Sequence, residues 1–494
     1  MGRSERVSTS FAFLGVGLFC LVVADLSVST LDPWQEMARM ARGIVTPDFL
    51  AVDRLGEALL QTVAFALVGV ALAVVAGFGL ALVFHVRLVR WGCAFVRAIH
   101  ELFWALLFLQ MLGLTPLTGI LAIALPYAGI FAKVYAEILE EAGPRAANTL
   151  PAGSGTVSAF FFARLPDAFV HLKSYTFYRV ECGLRSSAVL GFVGLPTLGF
   201  YLESAFKQGN YSEVSALLFL FYGVIATLRL WMRPRLAAVY LLIAPFVLAG
   251  GAGISLDNIV RFFAHDIVPY PLRSAEVLDI SAWSAFGTWT WELLADQALP
   301  GIVATLVLTQ IALVGSGVLT LVFFPLVSRR FQGPVGRTAG HAFLVVVRST
   351  PEYILAYVLL QFWGPSMLPA IVALSLHNGA IIGHLVGRFS DELALRPDHP
   401  RGLDLYAYEV VPRVYGQFLA FLFYRWEVIL RETAILGILG IQTLGFYVDS
   451  AIAEIRLDRA MFLIVITALL NIAVDGLSRA IRARLRLATT PEIQ

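Results

Sequence analysis

Long apolar runs alternate with short polar gaps along this chain, with little of the amphipathic spacing that marks a soluble helix. About twenty apolar residues at 1.5 Å rise each match roughly 30 Å of hydrocarbon. Twelve such runs are predicted to span a bilayer as helices, because a backbone in lipid must satisfy its own hydrogen bonds. Six cover 11–30, 61–84, 99–113, 117–138, 169–193 and 214–231. The other six cover 236–254, 301–326, 341–362, 368–387, 415–439 and 460–477. The predicted class is an all-α integral membrane protein of about 12 transmembrane helices. Loops 31–57 and 255–299 are the long external ones, rich in Trp, Asp and Pro, with room for short surface helices.

Composition supports that pattern. Of 494 residues, 59% are hydrophobic and 14% charged, against roughly 25% charged in a soluble chain. A net charge of +2 leaves no broad basic surface for nucleic acid. Cys20, Cys93 and Cys182 are scattered in or beside apolar runs, which argues against a disulfide framework or a zinc site.

The cationic residues orient the spans. Arg3, Arg6, Arg87, Arg90, Arg97, Lys133, Arg145, Arg164, Arg229, Arg233 and Arg235 fall in alternate gaps of the first half. The series continues through Arg329, Arg330, Arg337, Arg388, Arg396, Arg401, Arg479, Arg482, Arg484 and Arg486. By the positive-inside rule both termini are expected in the cytoplasm. The first run after Arg3 and Arg6 has the look of a signal peptide. Its counterpart at 236–254 lies mid-chain, so the first run is read as a retained helix.

The second half repeats the first. Residues 177–201 match 423–447 without gaps at 15 of 25 positions, including Tyr, Arg, Glu and Gly that shared hydrophobicity does not explain. A looser block pairs Arg97, Glu101, Gln110 and Gly113 with Arg348, Glu352, Gln361 and Gly364. Two six-helix units are expected, 1–232 and 233–494. As parallel repeats they are related by an axis along the membrane normal, with a pathway between them.

The repeated block resembles the phosphonate-type permease family of ABC importers. The resemblance rests on Tyr178, Glu181, Arg185, Ala188, Val189, Leu190, Gly191 and Gly194. It recurs at Tyr424, Glu427, Arg431, Ala434, Ile435, Leu436, Gly437 and Gly440. Val180 and Trp426 replace a Phe of the family pattern. Upstream, Arg348, Pro351, Glu352 and Ala356 match an Arg-Pro-Glu-Ala segment, whereas the first copy has Arg97 and Glu101 but His100 for Pro. A family Leu-His-Thr-Ala-Gly stretch ending in Lys is divided between the copies. The second has Leu376, His377 and Asn378 with His384 for Lys; the first has Pro126, Gly129 and Lys133.

This resemblance covers most of both halves and implies a type I importer whose two permease units are fused. It implies as partners two ABC ATPase subunits, holding ATP and Mg, an extracytoplasmic substrate-binding protein, and the lipid bilayer of a bacterial inner membrane. The ATPase-coupling loop of such permeases has a Glu-Ala-Ala-Gly pattern followed by Leu-Pro. Here Gly153, Leu165 and Pro166 stand at that spacing, with Ala147 in place of Glu; the second copy has Gly402, Val411 and Pro412. An ordinary cytoplasmic loop is the other reading of these degenerate segments.

Charged side chains inside the spans are the candidate site. Glu181 and Arg185 share a helix face at i,i+4, with Tyr178 on the same face, and Tyr424, Glu427 and Arg431 repeat the arrangement. A mid-membrane Arg costs about 2.5–3.5 kcal/mol, so it should face the bundle interior. Two readings are open. The guanidiniums can present planar forks to a tetrahedral oxyanion, or each Glu can neutralise its own Arg and pin packing. The glycines Gly191, Gly194 and Gly199, with Gly437, Gly440 and Gly445, are expected to break the helix at its periplasmic end; close packing through small residues is the alternative. His377, Asn378, Gln110 and Gln361 are polar in apolar spans, as pathway contacts or internal hydrogen bonds.

Nothing in the chain suggests catalysis. There is no phosphate-loop motif, HExxH or serine-nucleophile motif, so no cofactor is expected in this chain and it is not read as an enzyme. The leading expectation is import of phosphonate, phosphite, hypophosphite or phosphate, with ATP hydrolysed in separate subunits. An ion-coupled secondary transporter with 6+6 helices is the alternative.

Overall fold

A computed structural model describes residues 2–29, 32–52, 54–147, 155–248, 250, 253–273 and 279–487. Among the described residues all regular structure is helical. The first half contains α1 (Gly2–Val23), α2 (Pro33–Val45), α3 (Leu55–Leu82), α4 (Arg87–Ala98), α5 (Glu101–Leu112) and α6 (Pro116–Ala147). It continues with α7 (Leu165–Val189), α8 (Leu198–Gln208) and α9 (Tyr211–Ala226). The second half contains α10 (Pro234–Val247), α11 (Ile280–Leu293), α12 (Leu299–Val327), α13 (Pro334–Ser349) and α14 (Glu352–Trp363). It ends with α15 (Met367–Glu392), α16 (Val411–Leu436), α17 (Leu444–Ala453) and α18 (Leu457–Arg484).

Among the described residues, six helical segments are long and apolar enough to cross a membrane, and ten if each of four sharply bent pairs counts as one span. The predicted spans 99–113 and 341–362 lie in two of these pairs. Helices α4 and α5 meet at 92°, and α13 and α14 at 93°. The breaks have local causes. His100 leaves the helical region and its ring accepts the Leu102 N–H. Thr350, held extended ahead of Pro351, ends α13. The predicted spans 214–231 and 236–254 are shorter than expected, as α9 and α10 have 16 and 14 residues.

Both halves use the same core. In the first, α3 lies along α6 and α7 packs against both, with the α4–α5 elbow against α6. In the second, α12 lies along α15 and α16 packs against both, with the α13–α14 elbow against α15. Glycines allow these long helices to approach. A Cβ on Gly77 would lie 2.5 Å from the Phe131 side chain, and one on Gly387 would lie 2.4 Å from Val327. Small-residue contact of this kind holds helices together where lipid offers no hydrophobic driving force.

The compact units do not follow the sequence halves. One comprises Met1–Met37 with Ile267–Gln494, and the other Ala38–Asp266. Helix α1 accordingly packs on α12, with Phe13 edge-on to Phe423 and Trp426 at 5.0 and 5.1 Å. Tyr415 donates to Ser10 at 2.6 Å, and the Gln310 amide donates to the Phe13 carbonyl at 3.0 Å. Helix α10 packs along α3 in the other unit. The first helix of each sequence copy thus belongs to the compact unit built mainly from the other copy.

Candidate functional site

Each copy brings a buried polar cluster to the junction of its elbow, its long central helix and its Tyr-Glu-Arg helix. In the second copy the centre is Glu432 on α16. Arg425, two turns earlier, approaches it at 3.2 Å and donates Nε to the Asn378 side-chain oxygen at 2.7 Å. Asn378 on α15 donates its amide to Glu432 at 2.9 Å and to the Leu374 carbonyl at 3.0 Å. Beside Asn378, His377 is 1% exposed. Its Nδ1 lies 3.0 Å from the Thr350 carbonyl and its Nε2 3.8 Å from Glu352 on α14. Glu352, His377 and Glu432 offer oxygen and nitrogen atoms within 4.8 Å of one another. A buried carboxylate is costly unless paired, and Glu432 is paired by both a guanidinium and an amide.

The registers of the two repeated blocks map this cluster onto Glu101, Pro126, Tyr127, Arg179 and Ser186 of the first copy. The structure brings four of those together. Ser186 donates to Glu101 at 2.7 Å, and the Tyr127 hydroxyl meets Ser186 at 2.9 Å. Because Ser186 gives its proton to Glu101, Tyr127 is the donor in the second contact. Arg179 lies over the Tyr127 ring at 4.6 Å and the Tyr175 ring at 5.8 Å. Its Nε is buried with no hydrogen-bond partner. With Ser186 where the second copy has Glu432, Arg179 is held by aromatic faces instead of a carboxylate. A desolvated cation–π contact contributes about 2 kcal/mol, enough to seat the charge without a carboxylate against it.

The residues singled out by sequence lie around these clusters. Arg185 and Arg431 are half-buried, and Arg185 donates to the Cys182 sulfur at 3.4 Å. Glu181 and Glu427 are also half-buried, whereas Tyr178 and Tyr424 are 45% and 47% exposed. The ring of Tyr424 carries the Arg482 guanidinium at 5.6 Å. Gln110 and Gln361 are half-buried near the ends of α5 and α14. His377 and Asn378 are therefore the members of that set placed in a buried cluster. Arg179 and Arg425 have no carboxylate four residues away, so local spacing does not single them out, although both lie within the repeated block.

Both glycine segments interrupt their helices. After α7, Leu190–Val193 tightens to a 3-10 turn and Gly194 takes φ 89°, with a 56° bend into α8. After α16, Gly437–Leu439 tightens likewise, Gly440 takes φ 84°, and the bend is 46°. Gly191 also packs on the Gly199–Phe200 backbone, and Gly199 on that of Ala188. A Cβ on Gly199 would lie 1.8 Å from the Ala188 carbonyl oxygen, and one on Gly191 would lie 2.1 Å from the Phe200 nitrogen. Turn and close approach coexist here.

Of the proposed coupling residues, Gly153 lies outside the described residues. Leu165–Pro166 and Val411–Pro412 each follow a π-helical turn, Phe160–Arg164 and Leu405–Val410, within continuous helical segments Val157–Val193 and Gly402–Leu439. Gly402 takes φ 63° at the start of a short turn. The segment it begins is anchored by buried Glu409, which pairs with Arg396 at 3.1 Å and Arg413 at 2.6 Å.

Comparison with known proteins adds sequence relatives. The chain is 25% identical to the phosphate-import permease protein PhnE of Mycolicibacterium smegmatis, over 92% of this chain and 90% of that one. It is 30% identical to the phosphite transport system permease protein PtxC of Stutzerimonas stutzeri, over 42% of this chain and 80% of that one. It is 28% identical to the putative cryptic phosphonate transport system permease protein PhnE2 of Escherichia coli, over 22% of this chain and 89% of that one. No protein-family model matches the chain, and no solved structure matches it.

Proposed function

We propose a function from one premise: this chain belongs to the permease family of the phosphonate-, phosphite- and phosphate-type ABC importers. It is a multi-pass membrane transport protein. Its cargo is a small tetrahedral oxyanion of the phosphonate, phosphite, hypophosphite or phosphate class, moved inward by alternating access. Residues 1–232 and 233–494 act as the two permease units, in a bacterial inner membrane with both termini cytoplasmic. Two ATPase subunits, holding ATP and Mg, dock on the segments that lead to Pro166 and Pro412. An extracytoplasmic binding protein delivers cargo near the Gly194 and Gly440 turns.

The observation that carries the cargo class is Arg179. Its guanidinium is stacked on two tyrosines, and its Nε has no hydrogen-bond partner. A planar fork of N–H donors in low dielectric suits an oxyanion. Arg425, engaged by Glu432 and Asn378, holds helices instead.

The test is reconstitution of the full chain with its ATPase and binding protein in proteoliposomes, using radiolabelled phosphite and phosphate. Uptake that requires ATP and binding protein, and that survives an uncoupler, supports the reading. Uptake that collapses with the ion gradient while ATP persists overturns it in favour of an ion-coupled carrier.

A further inference from the structure

The register that relates residues 177–201 to 423–447 continues past the glycine turns, through α8 and α17, to the start of the last helix of each block, α9 and α18. It sets Gly209 against Ile455, and both take left-handed backbone, at φ 71° and 59°. In each copy the long loop is hydrogen-bonded to the second residue of that last helix. The Asp48 N–H donates to the Ser212 carbonyl at 3.0 Å, and the Tyr270 N–H donates to the Asp458 carboxylate at 3.0 Å. A cleft opens at each junction, of about 480 Å³ in the first copy and about 250 Å³ in the second.

The two clefts share a place in the repeat and differ in charge. In the first, Arg39 and Arg42 are balanced by Asp48 and Glu213. The second has Arg273, Arg456 and Arg459 among its lining residues, against Asp458 alone. Asp458 is already engaged: it is buried, takes the Tyr270 N–H and lies 3.7 Å from Arg273 Nη2. Arg456 reaches Glu454 at 3.3 Å, with both side chains about half exposed. Arg459 is half-buried and, among the described residues, has neither a hydrogen bond nor an ion pair. Arg459 stands where the first copy has Glu213, and that exchange turns a balanced cleft into a cationic one. Tyr270 and Trp289 line it beside the arginines, with Trp289 edge-on to Phe462 at 5.7 Å. Ile455 also lines it, 75% exposed, in a backbone conformation that β-branched residues rarely adopt. Strain of that kind collects at binding sites.

We infer that the second cleft binds a phosphate-type oxyanion, either a free anion or a phospholipid headgroup, through Arg459 with Arg273 and Arg456. Guanidinium N–H groups match such oxyanions in geometry as well as charge. The acidic face of a partner protein would meet exposed Arg456 first, whereas half-buried Arg459 is reached by a small group that enters the cleft. The site is built from other residues than the Arg179 cluster and does not depend on what the chain transports.

The full chain, purified alone in a maltoside detergent, tests this in two arms. Equilibrium dialysis against radiolabelled phosphate reads free-anion binding, and native mass spectrometry reads retained phospholipid. R459Q should lower whichever binding the parent shows by roughly 10–100-fold, the effect of losing a charged hydrogen bond. R42Q, in the balanced first cleft, should change neither. Phosphate lost in R459Q identifies a free anion, and phospholipid lost in R459Q identifies a headgroup; either supports the site. If R459Q does not fold, R456Q at the exposed rim should weaken the same binding severalfold, and unchanged binding in R456Q then overturns the proposal. Binding that R459Q leaves intact, including phosphate binding lost in R179M instead, overturns it too. So does a parent chain that holds neither phosphate nor phospholipid, which would leave the cleft to an acidic partner.

Discussion

At the scale of single residues, the two copies solve one problem in two ways. Each must place an arginine in a polar cluster inside an apolar helix bundle. The second neutralises Arg425 with Glu432 and Asn378, while the first has Ser186 and Tyr127 at those positions and leaves Arg179 to aromatic faces. Substitutions at the two arginines should therefore fail differently. R179M removes a guanidinium without stranding a carboxylate partner of its own. Assembly should survive, and uptake of labelled phosphite should fall roughly 10–100-fold, the range for losing a charged hydrogen bond of about 1.5–3 kcal/mol. R425M strands Glu432, and removing one partner of a buried pair costs about 3–5 kcal/mol. Its effect should be read as lost yield and a lower melting temperature, with E432Q in the same background restoring part of it. Equal uptake by R179M and the parent chain would remove Arg179 from the pathway. The sequence displayed all of these residues but not their grouping. Glu181 and Arg185 drew attention through i,i+4 spacing, whereas Arg179 meets Tyr127 across two helices, a relation no local spacing reports.

At the scale of elements, the glycine segments were legible as helix breaks, and the structure adds why so many glycines are needed. Gly194 and Gly440 supply left-handed backbone, and Gly191, Gly199, Gly437 and Gly445 let the chain fold back onto its own carbonyls. G199A has no room, since its Cβ would meet the Ala188 oxygen at 1.8 Å. Overpacking against side chains costs about 1–3 kcal/mol; a backbone atom yields less readily, so folded protein should be largely lost. G79A on α3 meets nothing within 4 Å and should melt with the parent, serving as the control in a fluorescence melt. The elbows were harder to read. Their apolar content matches that of straight spans, and a right-angle break depends on a cap at His100 and on the residue before Pro351.

At the scale of the whole molecule, the repeat boundary in sequence and the compact units in space differ. Helix α1 completes the unit containing Ile267–Gln494, and α10 belongs with Ala38–Asp266. A fragment of residues 233–494 therefore lacks the helix that covers Phe423 and Trp426. Expressed alone it should aggregate or be degraded, and coexpression with 1–232 should restore a stable, copurifying pair. A stable, monodisperse 233–494 fragment would show that α1 is dispensable.

The sequence by itself determined that the chain is helical and membrane-embedded, that it is duplicated, and which family it resembles. Those properties follow from the lengths of apolar runs and from identities at fixed offsets, which need no knowledge of packing. Only the tertiary structure decided that Arg179 and Arg425 form the buried clusters, and that the first helices change units. Each of these is a contact between segments distant in the chain. Apolar helices look alike to one another in lipid, so their partners are chosen by shape and by a few buried polar groups once they meet.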